Sequence, residues 1–62
     1  MNNCIASIRK SKRMSQSVLA EKAKINRVYL SQVERGKAEP GGQILIRIAK
    51  ALDKRVEDIF FV

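Results

Sequence analysis

The stretch Gln16–Arg35, QSVLAEKAKINRVYLSQVER, constrains the fold more than any other part of the chain. Leu19, Ala20 and Ala23 fall at i, i+1 and i+4, which places them on one face of a helix. Leu30 and Val33, at i and i+3, do the same for a second helix, and Ile25 lies between the two. Ala20 is small where the helices would cross. Ser15 is placed to N-cap the first helix at Gln16, and Asn26 to N-cap the second at Arg27. Val18, rather than Glu or Gln, holds the third helical position, so no capping box supports Ser15. The second helix is expected over 27–35, ending at Gly36, which suits a left-handed C-cap.

Two short helices joined through Lys24-Ile25-Asn26 make a helix-turn-helix pattern over about residues 16–35, whose second helix enters a DNA major groove. Residues 4–13 read as a preceding helix, with Ile5 and Ile8 on one face and a cationic last turn from Lys10 to Arg13. Met14 would tuck under the domain. Lys37 to Gly42 reads as a loop turning at Pro40-Gly41-Gly42, with Gly41 as the next N-cap. From Gln43 to Leu52, the residues Leu45, Ile48, Ala49 and Leu52 recur at i, i+3, i+4 and i+7. Val56 to Phe60 reads as a short last helix with Val56, Ile59 and Phe60 inward. The expected fold is all-α: five helices with short connections in a compact bundle, residues 1–62 forming a single domain.

Composition removes several classes of function. A chain of 62 residues sits near the lower size limit for folding without staples. With one cysteine and no histidine, neither a disulfide framework nor an ordinary zinc site is available. Cys4 reads as a small, partly buried thiol with no base to activate it. An enzyme is disfavoured, because no convergent carboxylate pair or activated nucleophile is present. No cofactor is expected. The apolar runs are far too short for a membrane span, and no hydrophobic signal core precedes the first charges. A cytoplasmic protein with no membrane partner is therefore expected.

The charge is unevenly placed. Between Arg9 and Lys37 lie nine basic and two acidic residues, whereas from Ala38 onward four basic and four acidic residues cancel. The whole excess of +7 therefore surrounds the helix-turn-helix pattern. A basic surface alone also keeps a small protein soluble, but its coincidence with this motif points to nucleic acid.

On these residues the sequence resembles the Cro/C1-type (xenobiotic-response-element) helix-turn-helix repressor family over essentially its whole length. The resemblance is carried by Ile8-Arg9, Met14-Ser15-Gln16, Leu19-Ala20-Glu21-Lys22, Tyr29 through Lys37, Pro40, and Ile48-Ala49-Lys50-Ala51-Leu52. It implies a five-helix, lambda-repressor-like DNA-binding domain, usually a homodimer on an inverted-repeat operator. The family commonly has glycine where this chain has Arg13, Lys24 and Asp53. If those positions stay left-handed, each non-glycine residue costs on the order of 1 kcal/mol, least for Asp. The charge of Lys24 would fall near the DNA face.

With Leu30 and Val33 inward, Arg27, Val28, Ser31 and Gln32 must face outward. Val28 suits a thymine methyl, or is an incidental surface valine. Gln32 matches adenine N6 and N7, and Ser31 is small enough for close approach. Arg27 matches guanine O6 and N7, or a phosphate. The family's base-contacting positions fall on the same four residues. Gln16, at a helix N-terminus, suits a phosphate, as do Asn26, Tyr29, Arg35 and Lys37 by resemblance. The Tyr29 ring alternatively packs on the domain with its hydroxyl in water. The resemblance also implies a partly buried ion pair between Arg9 and Glu34. Ile44 and Ile46, off the core stripe, with Phe61 and Val62, form an expected dimer patch; alternatively Phe61 and Val62 close the monomer core.

The expected partner is double-stranded DNA and the expected role a sequence-specific transcriptional regulator, most often a repressor. The competing reading is a protein-interaction module of the same fold, antitoxin-like or antirepressor. Such a module has no need of Gln16, Arg27 and Gln32 together. The chain leaves no room for a ligand domain, so no small-molecule ligand is expected.

Overall fold

The structure, a computed structural model, describes residues 2–61. Its elements are β1 (Asn2–Asn3), α1 (Ile5–Ser11), α2 (Gln16–Ala23), α3 (Arg27–Glu34), α4 (Gly42–Ala51), α5 (Val56–Ile59) and β2 (Phe60–Phe61). The fold is thus five helices plus one small two-stranded antiparallel ladder, within 26 × 21 × 19 Å.

Side chains start the two motif helices. Ser15 Oγ accepts from the Val18 N–H at 3.1 Å, and Asn26 Oδ1 accepts from the N–H groups of Val28 and Tyr29 at 2.6 and 3.2 Å. Helix α1 lacks such a cap at Cys4, and the Asn3 side chain supplies it from one residue earlier. Asn3 Oδ1 accepts from the Ile5 N–H at 3.1 Å, and Asn3 Nδ2 donates to the Val33 carbonyl at 2.8 Å. One amide therefore satisfies an orphan donor of α1 and adds a second bond to a last-turn carbonyl of α3, which the Gly36 N–H also reaches at 3.0 Å.

Helices α1 to α4 all stop in the same way. Arg13, Lys24, Gly36 and Asp53 have φ of 57°, 58°, 75° and 55°. After each, the next N–H reaches back five residues: Met14 to Arg9, Ile25 to Ala20, Lys37 to Gln32 and Lys54 to Ala49, at 2.8–3.1 Å. These are Schellman endings, for which glycine is the unstrained residue. Only Gly36 meets that preference, so the three departures from family glycines do retain the left-handed backbone.

The core is formed by Ile5, Leu19, Ala20, Ala23, Leu30, Val33, Ile48, Ala49, Leu52, Ile59 and Phe60, with Ile8, Met14, Ile25, Leu45 and Val56 packed around it. Helix α2 lies at the centre, packing on both α3 and α4. Ala20, Ala23 and Ala49 are small and buried, which allows close backbone approach.

The C-terminal end differs from expectation. The last helix stops at Ile59, and Phe60 is extended (φ −111°, ψ 136°). Phe60 pairs with Asn3, Phe61 with Asn2, and the Cys4 N–H donates to the Ile59 carbonyl at 2.9 Å. Phe60 still reaches the core, but does so from a strand, a conformation aromatic residues favour.

Candidate nucleic-acid interface

Helix α3 is amphipathic in a way that separates anchoring from display. Leu30 and Val33 are fully buried, while Arg27, Val28 and Gln32 are exposed and Ser31 is half-buried. Val28 is 59% exposed, the most open of the large apolar side chains among the described residues. Ser31 is partly covered from its own helix, since Arg35 Nη2 donates to Ser31 Oγ at 3.4 Å.

The inner end of α3 is tied to α1 by charge. Arg9 Nε donates to Glu34 Oε2 at 2.9 Å and Arg9 Nη2 to Glu34 Oε1 at 3.3 Å, with side chains only 9% and 5% exposed. Arg9 Nη1 donates to the Met14 carbonyl at 2.8 Å, so the guanidinium also braces the turn before α2. Burying two charges is tolerable only when the geometry is good and remaining donors are met. That condition holds, because among the described residues no buried side-chain polar atom lacks a partner.

Gln16 extends this pair toward the surface. Its Nε2 donates to Glu34 Oε1 at 3.0 Å, and its Oε1 accepts from Arg27 Nη1 at 3.3 Å. A continuous chain thus runs Arg9–Glu34–Gln16–Arg27, from core to the first residue of α3. The side chain of Gln16, expected at a phosphate, is engaged with Glu34 and Arg27 here.

The other expected phosphate residues are spread around α3. Asn26 uses its side-chain oxygen as the N-cap, and Arg35 and Lys37 are exposed beyond the C-terminal end. The Tyr29 ring packs partly against the core. Of the expected dimer patch, Ile46 and Phe61 are about half exposed (49% and 50%), but Ile44 packs partly onto the core. Ile44 is therefore less available than its spacing implies, and it is Phe60 that closes the core. Val62 lies outside the described residues. Lys24 lines an open cleft with Lys22, Arg47 and Lys50, none of them in the expected base or phosphate set.

Reading the sequence did not reveal the double cap of Asn3, the bond from Gln16 to Glu34, or this cationic cleft. An asparagine just before a helix is a weak signal for the first. Nothing local signals the other two, which depend on tertiary packing.

A helix-turn-helix family model matches residues 5–59. The chain belongs to the Cro/C1-type helix-turn-helix family of DNA-binding transcription regulators. It is not a family of enzymes. The chain is 41% identical over 56 residues to an uncharacterized HTH-type transcriptional regulator of Mycobacterium tuberculosis, covering 90% of this chain and 40% of the relative. It thus spans about two-fifths of that relative's length. Among solved structures it resembles the restriction-modification controller protein C.AhdI of Aeromonas hydrophila, with TM-score 0.86, 30% identity, and coverage of 90% and 85% of the two chains. The P22 c2 repressor, solved in complex with a synthetic operator, gives TM-score 0.81 and 32% identity, with coverage of 86% and 80%. No helix among the described residues is long and apolar enough to cross a membrane.

Proposed function

We propose that this chain is a sequence-specific transcriptional repressor that reads double-stranded DNA with α3 in the major groove, residues 1–62 acting as one module. The observation that carries the reading is the division of α3. Arg27, Val28 and Gln32 stand exposed on a helix whose opposite face is fixed by Leu30, Val33 and the Arg9–Glu34 pair. Gln32 suits an adenine edge, Val28 a thymine methyl, and Ser31 permits close approach. Arg27, held by Gln16, suits a guanine edge.

Gln16, Asn26, Tyr29, Arg35 and Lys37 would contact phosphates on either side. These contacts fix register and supply most of the salt-dependent affinity. One α3 reads only a few base pairs, so two copies on an inverted repeat, with half-sites about 34 Å apart, would provide operator-level specificity. Ile46 and Phe61 are the open apolar residues for such pairing, with Ile44 at their margin. Occupying the operator would exclude polymerase, in the cytoplasm, without a cofactor. The likeness to the P22 c2 repressor bound to an operator supports this reading.

A gel-shift titration on DNA upstream of the protein's own gene, run as a salt series, tests it. Log affinity should fall linearly with log salt, by about 0.9 per phosphate contacted. Scrambling the operator should weaken binding by roughly a thousand-fold or more. A salt dependence without a scrambling effect would overturn sequence-specific reading. Sedimentation on and off DNA tests the pairing, which a strict monomer in both states would refute.

A further inference from the structure

A second cationic surface lies apart from the residues assigned to DNA. Lys22 and Lys24 at the end of α2, with Arg47 and Lys50 of α4, line an open cleft of about 430 Å³, and Ala51 is the one apolar lining residue. None of its cations belongs to the set assigned to DNA: Gln16 begins α2, and Lys24 follows its last residue, about 12 Å further on and two residues before the Asn26 cap of α3. None of the four cations forms an ion pair with any described residue. No acid is among the described residues that line the cleft: Glu21 and Asp53, the nearest in sequence to its cations, are exposed outside that lining, and Glu57 and Asp58 face Arg55.

The ordinary explanation is complementation of helix dipoles, since Lys22 and Lys50 stand in the last turns of α2 and α4. Each helix end supplies only about half a negative charge, so two ends leave most of four positive charges uncompensated. Lys24 adds a backbone observation, because its charge is held in the cleft at φ 58°, where the residue is strained.

We propose that this cleft binds a compact, multiply charged phosphate group, such as the triphosphate of a nucleotide or inorganic polyphosphate. Its lining selects the class. With Ala51 as sole apolar contact, no pocket exists for the anchors that give peptides their affinity. On the side of Lys50 the adjoining cleft mixes Asp53 and Asp58 with Lys54 and Arg55, so the unbroken positive lining ends there. What remains favourable is concentrated charge on a small ligand, which also relieves repulsion among the cations. This goes beyond the expectation of no small-molecule ligand, and it does not depend on how α3 reads DNA.

The test is an amide NMR titration of the full chain at about 0.15 M ionic strength, where non-specific attraction is screened within about 8 Å. Inorganic tripolyphosphate should give saturable shifts centred on Lys22–Lys24 and Arg47–Ala51, at least about ten-fold tighter than orthophosphate. The double variant Lys24→Gly, Lys50→Gln should lose about ten-fold or more of that affinity. Its Lys24→Gly change relieves backbone strain, so the loss will not come from unfolding. Equal affinity for ATP and tripolyphosphate would support recognition of the phosphates alone, and tighter ATP binding would support a nucleotide ligand. Shifts centred on Gln16, Arg27, Arg35 and Lys37, or unsaturable shifts on all lysines, would overturn the proposal. So would a duplex without operator that occupies the cleft more tightly than tripolyphosphate.

Discussion

Helices α2 and α3 are built on one plan and held by different forces. Each has eight residues, a side-chain N-cap, and a left-handed ending with a reach-back bond, at 2.9 Å for α2 and 2.8 Å for α3. Helix α2 is fixed by position: Leu19, Ala20 and Ala23 are buried between α3 and α4. Helix α3 lies at the surface with two fully buried apolar residues and the partly packed Tyr29 ring, and the Glu34 carboxylate and the Asn3–Val33 bond add polar anchorage. The centrally packed helix can carry a strained lysine at its end. The peripheral helix has the glycine, and its outer face is left free for recognition.

The largest effect should come from breaking the charge anchor. Glu34→Ala leaves Arg9 buried without its partner, which costs about 3–5 kcal/mol. In a chain this small, where 1 kcal/mol moves the melting temperature by about 4–8 °C, thermal denaturation should show a drop large enough to threaten folding. Gln32→Ala, on the exposed face, should stay within about 0.5 kcal/mol of the parent in stability. Equal melting temperatures for the two variants would mean that α3 is not anchored through Glu34.

The same Gln32→Ala protein supplies the next measurement. If Gln32 pairs with a base, its loss should weaken operator binding by about 1–3 kcal/mol and relax specificity at one position. A uniform loss across unrelated sequences would assign Gln32 to the backbone instead. Stability and affinity thus come apart along one helix, with Glu34 governing the first and Gln32 the second.

What was legible in the sequence follows the same division between local and distant forces. The helices, the Ser15 and Asn26 caps and the Gly36 ending are local, and spacing or a single side chain announces each. The buried stripe of α4 was equally plain, although Ile44 shows that spacing alone does not settle how far a flanking residue tucks in. The β1–β2 ladder escaped because two-residue strands have no alternation to read and their partners lie at opposite ends of the chain. Asn3 reaches Val33 across thirty residues, and Gln16 reaches Glu34 across eighteen. The candidate base-reading face was legible as positions, because burial of Leu30 and Val33 fixes which residues turn outward. Its internal bonding, from Gln16 to Arg27 and from Arg35 to Ser31, depends on rotamers that no periodicity records.

Exchanging the two helix ends sharpens the comparison. Lys24→Gly should stabilise the protein by about 0.5–1 kcal/mol, as removal of left-handed strain outweighs the added freedom of the unfolded chain. Gly36→Lys should destabilise by about 1 kcal/mol, since it introduces that strain at φ 75°. Urea denaturation with unchanged m-values would read both. If Lys24→Gly is neutral or destabilising, the lysine is held by a favourable interaction that offsets its backbone, and α2 is not simply tolerating strain.

The smallest effect belongs to Asp53, the left-handed ending of α4. Its φ of 55° nearly matches that of Lys24. Aspartate adopts this region far more readily than lysine, because its short polar side chain bonds locally to the backbone. Asp53→Gly should therefore gain only a few tenths of a kcal/mol, clearly less than Lys24→Gly. Asp53 also borders Lys50, Lys54 and Arg55, so removing its charge takes away some attraction and reduces the gain further. Measuring the two variants at low and high salt separates these contributions. The backbone part is independent of salt, whereas the Asp53 deficit should shrink as salt rises. If Asp53→Gly gains as much as Lys24→Gly at every salt concentration, then side-chain chemistry does not matter at these helix ends, and left-handed geometry alone sets the cost.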